Sequence, residues 1–345
     1  MGRIPVTLAS MHKTVAKMSD EGAEPARGGR RRRALLGLAA SVAVVVAAGL
    51  WLLRHGLGTL DASPYALPRG ETAAGASWED ILGAPGPVEV EALVTATVHG
   101  DRFVVLDPED PHRARMGDRH APSVVLAYLV RHRDAGDFLI DAGLAASFAE
   151  GAGNYDALLS LLLASMGARA VQARGQDTAT QLRARGALPR AVFLTHLHAD
   201  HTSGLADLDL GIPAVFGLGE STFAQRALLG DHLAGRALRT LDLRRAPRRT
   251  PFEGSLDLLG DGSLWALATP GHSPAHVSYL VNGPRPLLIT GDAAAYHAQL
   301  EHRIAPAPGV ADPARARRSL DALADFHERF PQVGVAVGHE PPIRP

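Results

Sequence analysis

Short apolar runs recur along the chain, and four runs in its second half end in a turn followed by a polar side chain. These four runs occupy residues 191–194, 264–268, 286–290 and 333–337. A run of roughly four to eight apolar residues bounded by glycine or proline predicts a buried strand. Sites in layered α/β folds are built at strand ends along one edge of a sheet. The pattern therefore predicts a layered α/β fold with a polar site at such an edge.

The first half of the domain shows a more varied pattern. Residues 88–94 begin by alternating apolar and acidic positions, which predicts a strand with one face in water. Further predicted strands are residues 103–106, 123–130 and 137–143, and predicted helices are residues 154–167, which are strongly apolar, and residues 178–185.

One apolar run is long enough to cross a membrane. Residues 34–53 carry no charge, and a helix of that length rises about 30 Å, the thickness of a bilayer core. Four arginines precede the run and Trp51 lies near its far end, which favours a cytoplasmic N-terminus. The sequence therefore predicts a basic cytoplasmic tail at residues 1–33, a transmembrane anchor or export signal at residues 34–54, and a body outside the cytoplasm.

Two export hypotheses stay open for this segment. An uncleaved anchor needs only the pattern above, whereas a cleaved signal also needs small residues at a processing site, and no clean site follows Leu53. Lysine occurs only at positions 13 and 17, so Met18 is a second candidate for the start of the protein. Residues 55–87 are rich in glycine and proline and predict a linker. The folded domain is predicted over residues 88–345.

Charge and composition exclude some functions. Residues 55–345 hold 26 arginines against 33 acidic residues, and no basic stretch follows the pattern that tracks a phosphate backbone. We therefore expect no nucleic-acid partner. The chain has no cysteine, so any zinc site must use histidine, aspartate or glutamate.

The strongest chemical signal follows the run at residues 191–194. His196, His198, Asp200 and His201 lie within six positions, at the point where a strand ends and the chain turns. Imidazole nitrogen and carboxylate oxygen are ligands that zinc accepts well. His196 and His198 stand two apart on extended backbone, so they point the same way and can bind one ion. The other three runs end near His272, Asp292 and His339.

This order of residues resembles the metallo-β-lactamase superfamily of hydrolases over residues 88–345. The resemblance implies a four-layer αββα sandwich, classed as α/β or α+β, with two divalent metal ions, zinc the first choice, at one edge of the paired sheets. It also implies the metal ligands: His196, His198 and His272 for the first ion, Asp200, His201 and His339 for the second, and Asp292 between the two. Asp141 is then expected to orient a ligand histidine.

Two such ions imply hydrolysis by a metal-activated water. A water held between them loses a proton near neutral pH, and the bridging hydroxide attacks a carbonyl carbon. Asp200 is the candidate to orient that hydroxide and to carry its proton to the leaving group. We therefore expect a metal-dependent hydrolase whose substrate is a small molecule with a lactone or ester carbonyl.

The resemblance is greatest to the lactonase-like group, which opens acyl-homoserine lactones and related esters. β-Lactamases of this fold usually lack an acid at the place of Asp292. Glyoxalase II shares the ligands but carries a helical C-terminal region, whereas six residues follow His339 here. In the lactonases a tyrosine three positions after the bridging acid assists the carbonyl oxygen. Tyr296 stands four positions after Asp292 and is the candidate for that role.

Three alternatives stay open: a thioester hydrolase of glyoxalase II type, a β-lactamase, and a catalytically silent binding protein tethered to the membrane. Residues 158–166 are interpreted either as a buried helix face or as the lining of an acyl-chain pocket. His276 is either a support for a ligand or a structural residue. The remaining histidines are expected to be solvated or structural, and they are His12, His55, His99, His112, His120, His132, His232, His297, His302 and His327.

Overall fold

The computed structural model describes residues 61–68, 76–165, 167–222, 225 and 229–343. The predicted tail at residues 1–33, the predicted membrane segment at residues 34–54 and the second candidate start at Met18 lie outside the described residues. Within the described part of the chain, no helix combines the length and the apolar character needed to span a bilayer.

Two sheets form the frame of the described domain. The larger sheet has eight strands in the order β1-β8-β7-β6-β4-β3-β2-β5. Its strands are β1 (Ala62–Pro64), β2 (Val88–His99), β3 (Ser123–His132), β4 (Gly136–Ile140), β5 (Arg169–Val171), β6 (Pro189–Phe193), β7 (Ala214–Gly217) and β8 (Leu238–Leu241). The smaller sheet has the order β13-β12-β11-β10-β9. Its strands are β9 (Ser255–Asp257), β10 (Leu264–Ala268), β11 (Val277–Val281), β12 (Leu287–Gly291) and β13 (Gly334–Val337).

Six α-helices are described beside these sheets. They are α1 (Trp78–Gly83), α2 (Ala157–Ser165), α3 (Thr178–Ala184), α4 (Ala199–Thr202), α5 (His297–Glu301) and α6 (Pro313–Arg329). The long helix α6 begins at Asp312, whose side chain accepts a hydrogen bond from the backbone of Arg315. The proline that follows Asp312 suits the first helical turn, where its missing N–H costs nothing.

Alternation along the strands builds the layers. Tyr128 and Phe193 point from the larger sheet into a core shared with Ile289 of the smaller sheet. Their neighbours Leu129 and Val192 point the opposite way and pack against α3. On the smaller sheet, the residues between the core positions pack against α1 and α6. This period of two is what a sheet buried on both faces requires. The predicted mixed α/β fold with paired sheets is therefore confirmed.

Parallel pairing sets the edge at which a site can form. Strands β4, β6, β7 and β8 run parallel to one another in the larger sheet, and β12 runs parallel to β13 in the smaller one. The carboxyl ends of parallel strands meet at one edge of a sheet. The polar residues that follow β4, β6, β12 and β13 are therefore brought to the same side of the domain.

Two local predictions differ from the structure. Residues 103–106 were expected to form a strand, but Arg102–Val105 is a 3₁₀ helix, started by Asp101, whose side chain accepts a hydrogen bond from Phe103 N. The apolar segment at residues 154–167 forms helix α2, yet Leu161 is 68% exposed and Leu162 is 53% exposed. A helix that is apolar on all sides cannot bury every face against one neighbour.

The linker predicted at residues 55–87 is a further correction. Strand β1 lies inside it and pairs with β8 in parallel. Helix α1 also lies inside it, and Trp78 makes edge-on contacts with Phe252, Trp265 and Phe326. Burial of one large indole outweighs the disordering tendency of the surrounding glycines and prolines. Residues 76–87 therefore belong to the folded domain.

Candidate metal centre

Strand ends bring the seven candidate metal ligands to one edge of the two sheets. His196 and His198 follow β6, and helix α4 then carries Asp200 and His201. His272 follows β10, Asp292 follows β12, and His339 follows β13. Within the described residues, the ligand atoms form two groups in which all atoms lie within 4.8 Å of one another.

The first group joins residues of both sheets. It consists of His196, His198, His272 and Asp292. His272 Nε2 lies 3.1 Å from His198 Nδ1 and 3.4 Å from Asp292 Oδ2, and His196 Nε2 lies 3.8 Å from that same oxygen. Three imidazoles and one carboxylate oxygen thus converge on a single point, as a tetrahedral site requires.

The second group adjoins the first through Asp292. It consists of Asp200, His201 and His339. Asp200 Oδ2 lies 3.6 Å from His201 Nε2 and 3.7 Å from His339 Nε2. The other oxygen of Asp292, Oδ1, lies 3.3 Å from His201 Nε2 and 3.4 Å from His339 Nε2. One carboxylate therefore presents one oxygen to each group.

Hydrogen bonds fix the tautomer of three of these histidines. The Thr195 hydroxyl donates to Asp141, so it accepts from His196 Nδ1, 3.0 Å away. His201 Nδ1 donates to Asp141 Oδ2 over 2.8 Å. His339 Nδ1 donates to the carbonyl oxygen of Val124 over 3.1 Å. Each ring is left with Nε2 facing the group, which is the orientation that a metal-binding imidazole needs.

Asp141 supports this arrangement at a strained backbone position. Its φ is 55°, in the left-handed region that non-glycine residues rarely adopt. Both carboxylate oxygens are used: Oδ1 accepts from Thr195 N over 2.7 Å, and Oδ2 accepts from His201. The expectation that Asp141 orients a candidate ligand is confirmed, and the histidine it contacts directly is His201.

The two groups differ in electrostatic character. Burial, together with neighbouring imidazoles, lowers the pKa of His272 to about 3 and that of His196 well below its usual value, so these rings are neutral. Burial also lowers the pKa of His339, but Asp292 and Asp200 outweigh it and raise that pKa to about 9. Carboxylates likewise raise the pKa of His201. The second group therefore requires compensating positive charge.

Several buried atoms support the fit of a metal ion. Among the described residues, His196 Nε2, His201 Nε2 and Asp292 Oδ1 are buried without a hydrogen-bond partner. Such atoms are costly unless an ion or water satisfies them. Gly338 leaves room for this arrangement, because a side chain there would collide with Asp292 Oδ1. The donor set of imidazoles and carboxylates suits zinc and similar divalent ions.

Tyr296 lies beside the second group. Its ring centroid is 6.2 Å from that of His339, and its hydroxyl lies 3.0 Å from Ser123 Oγ. The guanidinium of Arg102 lies over its ring, 4.1 Å from the centroid, and also bonds Glu340. Burial raises the pKa of Tyr296, so its hydroxyl keeps its proton. Arg102 and Glu340 carried no sequence signal, since neither belongs to a motif.

Two further histidines lie close to the site. His276 Nδ1 donates a hydrogen bond to the hydroxyl of Thr269, and that hydroxyl is also hydrogen-bonded to Ser278 Oγ. The ring centroid of His276 lies 5.2 Å from that of His196. His232 bonds Thr202 of helix α4 and the backbone oxygen of Asn154. His276 therefore has a structural partner, and His232, expected to be structural, braces the helix that carries Asp200 and His201.

A mostly apolar cavity opens beside the first group. Its volume is about 370 Å³, and both His198 and His272 line it. The other lining residues are Val104, Val105, Leu197, Glu220, Ser221, Leu229, Ser273, Pro274, Ala307, Gly309, Val310 and Ala311. None of the described residues of helix α2 lines this cavity, so the cavity gives no support to the acyl-pocket interpretation of residues 158–166.

Comparison with known proteins identifies the family. The sequence profile of the metallo-beta-lactamase superfamily matches residues 120–330. The N-acyl homoserine lactonase AttM of Agrobacterium fabrum is 29% identical over 180 residues, which is 49% of this chain and 65% of that protein. The chain thus spans just under two thirds of the length of that relative. The AttM lactonase of Azorhizobium caulinodans is 31% identical over 187 residues, 51% of this chain and 68% of that protein.

Solved structures agree on the fold. A crystal structure of an N-acyl homoserine lactone hydrolase, with the product N-hexanoyl-L-homoserine at its catalytic metal centre, covers 72% of this chain. The match covers 92% of that structure, at 19% identity and a TM-score of 0.57. Profile, relatives and fold agree, and the chain belongs to the metallo-β-lactamase superfamily.

Proposed function

We propose that the chain is a dinuclear metal-dependent hydrolase that opens lactone or ester bonds, with N-acyl homoserine lactones as the substrate class. The observation that carries this proposal is the pair of adjoining ligand groups with one carboxylate oxygen of Asp292 facing each. The relatives named as N-acyl homoserine lactonases support the substrate class.

The proposal assigns each ligand a place. His196, His198 and His272 would hold the first ion, Asp200, His201 and His339 would hold the second, and Asp292 would offer one carboxylate oxygen to each. Two divalent ions, zinc the first choice, supply Lewis-acid activation of water and of the substrate carbonyl. Asp200 lies at the open side of the second group, where its free oxygen can hold the attacking water and move a proton to the leaving oxygen.

Two other features complete the proposal. The cavity bordered by His198 and His272 offers aliphatic side chains, among them Val104 and Val310, to an acyl chain. Tyr296 would donate a hydrogen bond from its hydroxyl to the carbonyl oxygen, and Ser123 Oγ, 3.0 Å from Tyr296 Oη, would then donate to that oxygen. Such a donor acts where negative charge develops.

A substrate panel tests this function on the purified full chain. The panel holds N-acyl homoserine lactones, aryl esters, a thioester and a β-lactam, each assayed before and after metal removal. Turnover of lactones or esters that is lost with the metal supports the proposal. Turnover of only the thioester or only the β-lactam would support those alternatives instead. Full metal content with no turnover would favour the silent binding protein.

The location of the protein is a separate proposal, based on residues 34–54 alone. We propose a membrane-anchored protein with its catalytic domain outside the cytoplasm, with export after signal cleavage as the alternative. Cell fractionation and the intact mass of the native protein decide between them. Recovery in the soluble cytoplasmic fraction at full mass would exclude both.

A further inference from the structure

Two of the ligand rings lack the support that the others have. His196, His201 and His339 each donate their second nitrogen to a protein group. Among the described residues, His272 Nδ1 has no hydrogen-bond partner, and neither has His198 Nε2. A metal-binding imidazole is usually oriented by such a bond. The position of His272 must therefore be set by the backbone that carries it.

The backbone after His272 is held by one acidic side chain. Glu220 Oε1 accepts a hydrogen bond from Ser273 Oγ over 2.6 Å and from Ala275 N over 2.8 Å. These donors are the first and third residues after His272. A carboxylate that accepts two bonds binds its partners more strongly than a neutral acceptor would.

The segment before His272 is held from the opposite side. Ser319 Oγ of helix α6 donates to Pro270 O over 2.7 Å. Gly271 approaches the backbone of Ala316 so closely that any side chain would collide, and its φ of 133° also favours glycine. The start of α6 thus fixes one end of the loop, and Glu220 fixes the other.

The bonds of Glu220 also cross between the sheets. Glu220 follows β7 of the larger sheet, whereas the loop of His272 follows β10 of the smaller sheet. The first ligand group likewise takes His196 and His198 from the larger sheet and His272 from the smaller one. The second group has its own tie, since His339 and Val124 exchange two bonds across the same gap.

We infer that Glu220 is a positioning residue that sets the separation of the two halves of the first metal site. This inference rests on the proposed dinuclear function and extends it to a residue outside the ligand set. It implies that a change at Glu220 weakens binding of one metal ion and leaves the other in place.

The test is a zinc titration of the full chain against a competing chromophoric chelator. We expect Glu220→Ala to weaken one of two sites by about tenfold to 100-fold, as loss of an outer support typically does. Glu220→Gln keeps an oxygen that can accept both bonds, although a neutral one, so it should weaken that site less than Glu220→Ala does. Glu150→Ala, at an exposed acid that takes no part in these bonds, is the matched control and should change nothing.

A second variant keeps the test decisive if Glu220→Ala does not fold. Ser273→Ala leaves the carboxylate in place, removes one of its two donors, and should weaken the same site by a smaller factor. Unchanged affinity in both variants, or equal weakening of both sites, would overturn the inference. A wild-type chain that binds fewer than two ions would instead contradict the proposed function.

Discussion

At the scale of single residues, the candidate metal ligands share one place in the fold, at or just after the end of a strand. His272, Asp292 and His339 were predictable because each follows an apolar run and a turn. Glu220 and Arg102 were not, because each acts through a contact to a residue far away in the chain. A pattern along the chain cannot reveal which distant loop a lone acid or base will meet.

The role of Asp200 gives the first residue-scale prediction. Its carboxylate faces both His201 and His339 and is the proton carrier of the proposed reaction. Asp200→Asn should lower kcat by about 10²-fold to 10⁴-fold, since general acid–base catalysis contributes that much. Steady-state lactone hydrolysis measures it, with circular dichroism to verify the fold. A kcat within a factor of about two of the wild type would remove Asp200 from the mechanism.

The hydroxyl of Tyr296 is the second proposed catalytic group that a substitution can test. If its hydroxyl donates to the carbonyl oxygen, Tyr296→Phe loses one donor and kcat falls by about 10²-fold. Ser123→Ala is the matched control, because it removes only the neighbour of the phenol and should cost far less. Equal small losses in both variants would show that Tyr296 only packs under Arg102.

At the scale of elements, the pattern of apolar residues predicted the buried strands correctly. It gave a wrong prediction where a capping side chain determines the local structure. Strands β6, β10, β12 and β13 and helix α3 were all predictable from their runs of apolar residues. Arg102–Val105 was not, because Asp101 caps it into a 3₁₀ turn that the apolar run alone does not show. Helix α2 was expected, but its exposure depends on the absence of a covering neighbour among the described residues.

A substitution in helix α1 tests whether residues 76–87 belong to the folded domain. Trp78 is 2% exposed and packs on Phe252, Trp265 and Phe326. Trp78→Ala should lower the free energy of unfolding by about 3–5 kcal/mol, as truncation of a buried aromatic does. Leu161→Ala, at an exposed position of α2, is the control and should cost less than about 0.5 kcal/mol. Urea denaturation measures both changes in the free energy of unfolding. If both are similarly small, residues 76–87 do not contribute to the folded domain and are a linker, as the sequence predicted.

A third contact between the sheets makes the stability of the fold depend on pH. His132 Nε2 lies 2.7 Å from Asp261 Oδ2, at the end of β3 away from Val124. Burial raises the pKa of Asp261, but bonds from Ser263 and His132 outweigh it and place that pKa below its usual value. The folded pKa lies below the unfolded value of about 3.9, so this stabilisation is complete above that pH and is lost as the pH falls towards the folded pKa.

Asp261→Asn should therefore lower the free energy of unfolding by about 1 kcal/mol at neutral pH, because one charged acceptor is partly exposed. The difference from the wild type should be smaller at about pH 3, because this pH lies below the unfolded pKa of about 3.9 and proton uptake on unfolding then lowers the stability of the wild type. Urea midpoints at the two pH values measure this. A difference of the same size at both would mean that the Asp261 charge does not contribute.

At the scale of the whole molecule, the two sheets each supply part of one candidate site. The larger sheet supplies His196, His198, Asp200 and His201, and the smaller sheet supplies the remaining three candidate ligands. The order of ligands along the chain was enough to suggest this arrangement through a family resemblance. The hydrogen bonds that join the two sheets, at Glu220, at Val124 and at His132, could be identified only from the structure.

The metal content of the full chain decides whether this edge of the sheets is a dinuclear centre with Asp292 between two ions. It is measured by plasma mass spectrometry on protein purified without chelator. We expect about two divalent ions per chain, and fewer in Asp292→Asn, because the amide oxygen is a weaker ligand than the carboxylate that faces both groups. One ion or none in the wild type, or two ions that bind Asp292→Asn with unchanged affinity, would show that Asp292 does not join two metal sites.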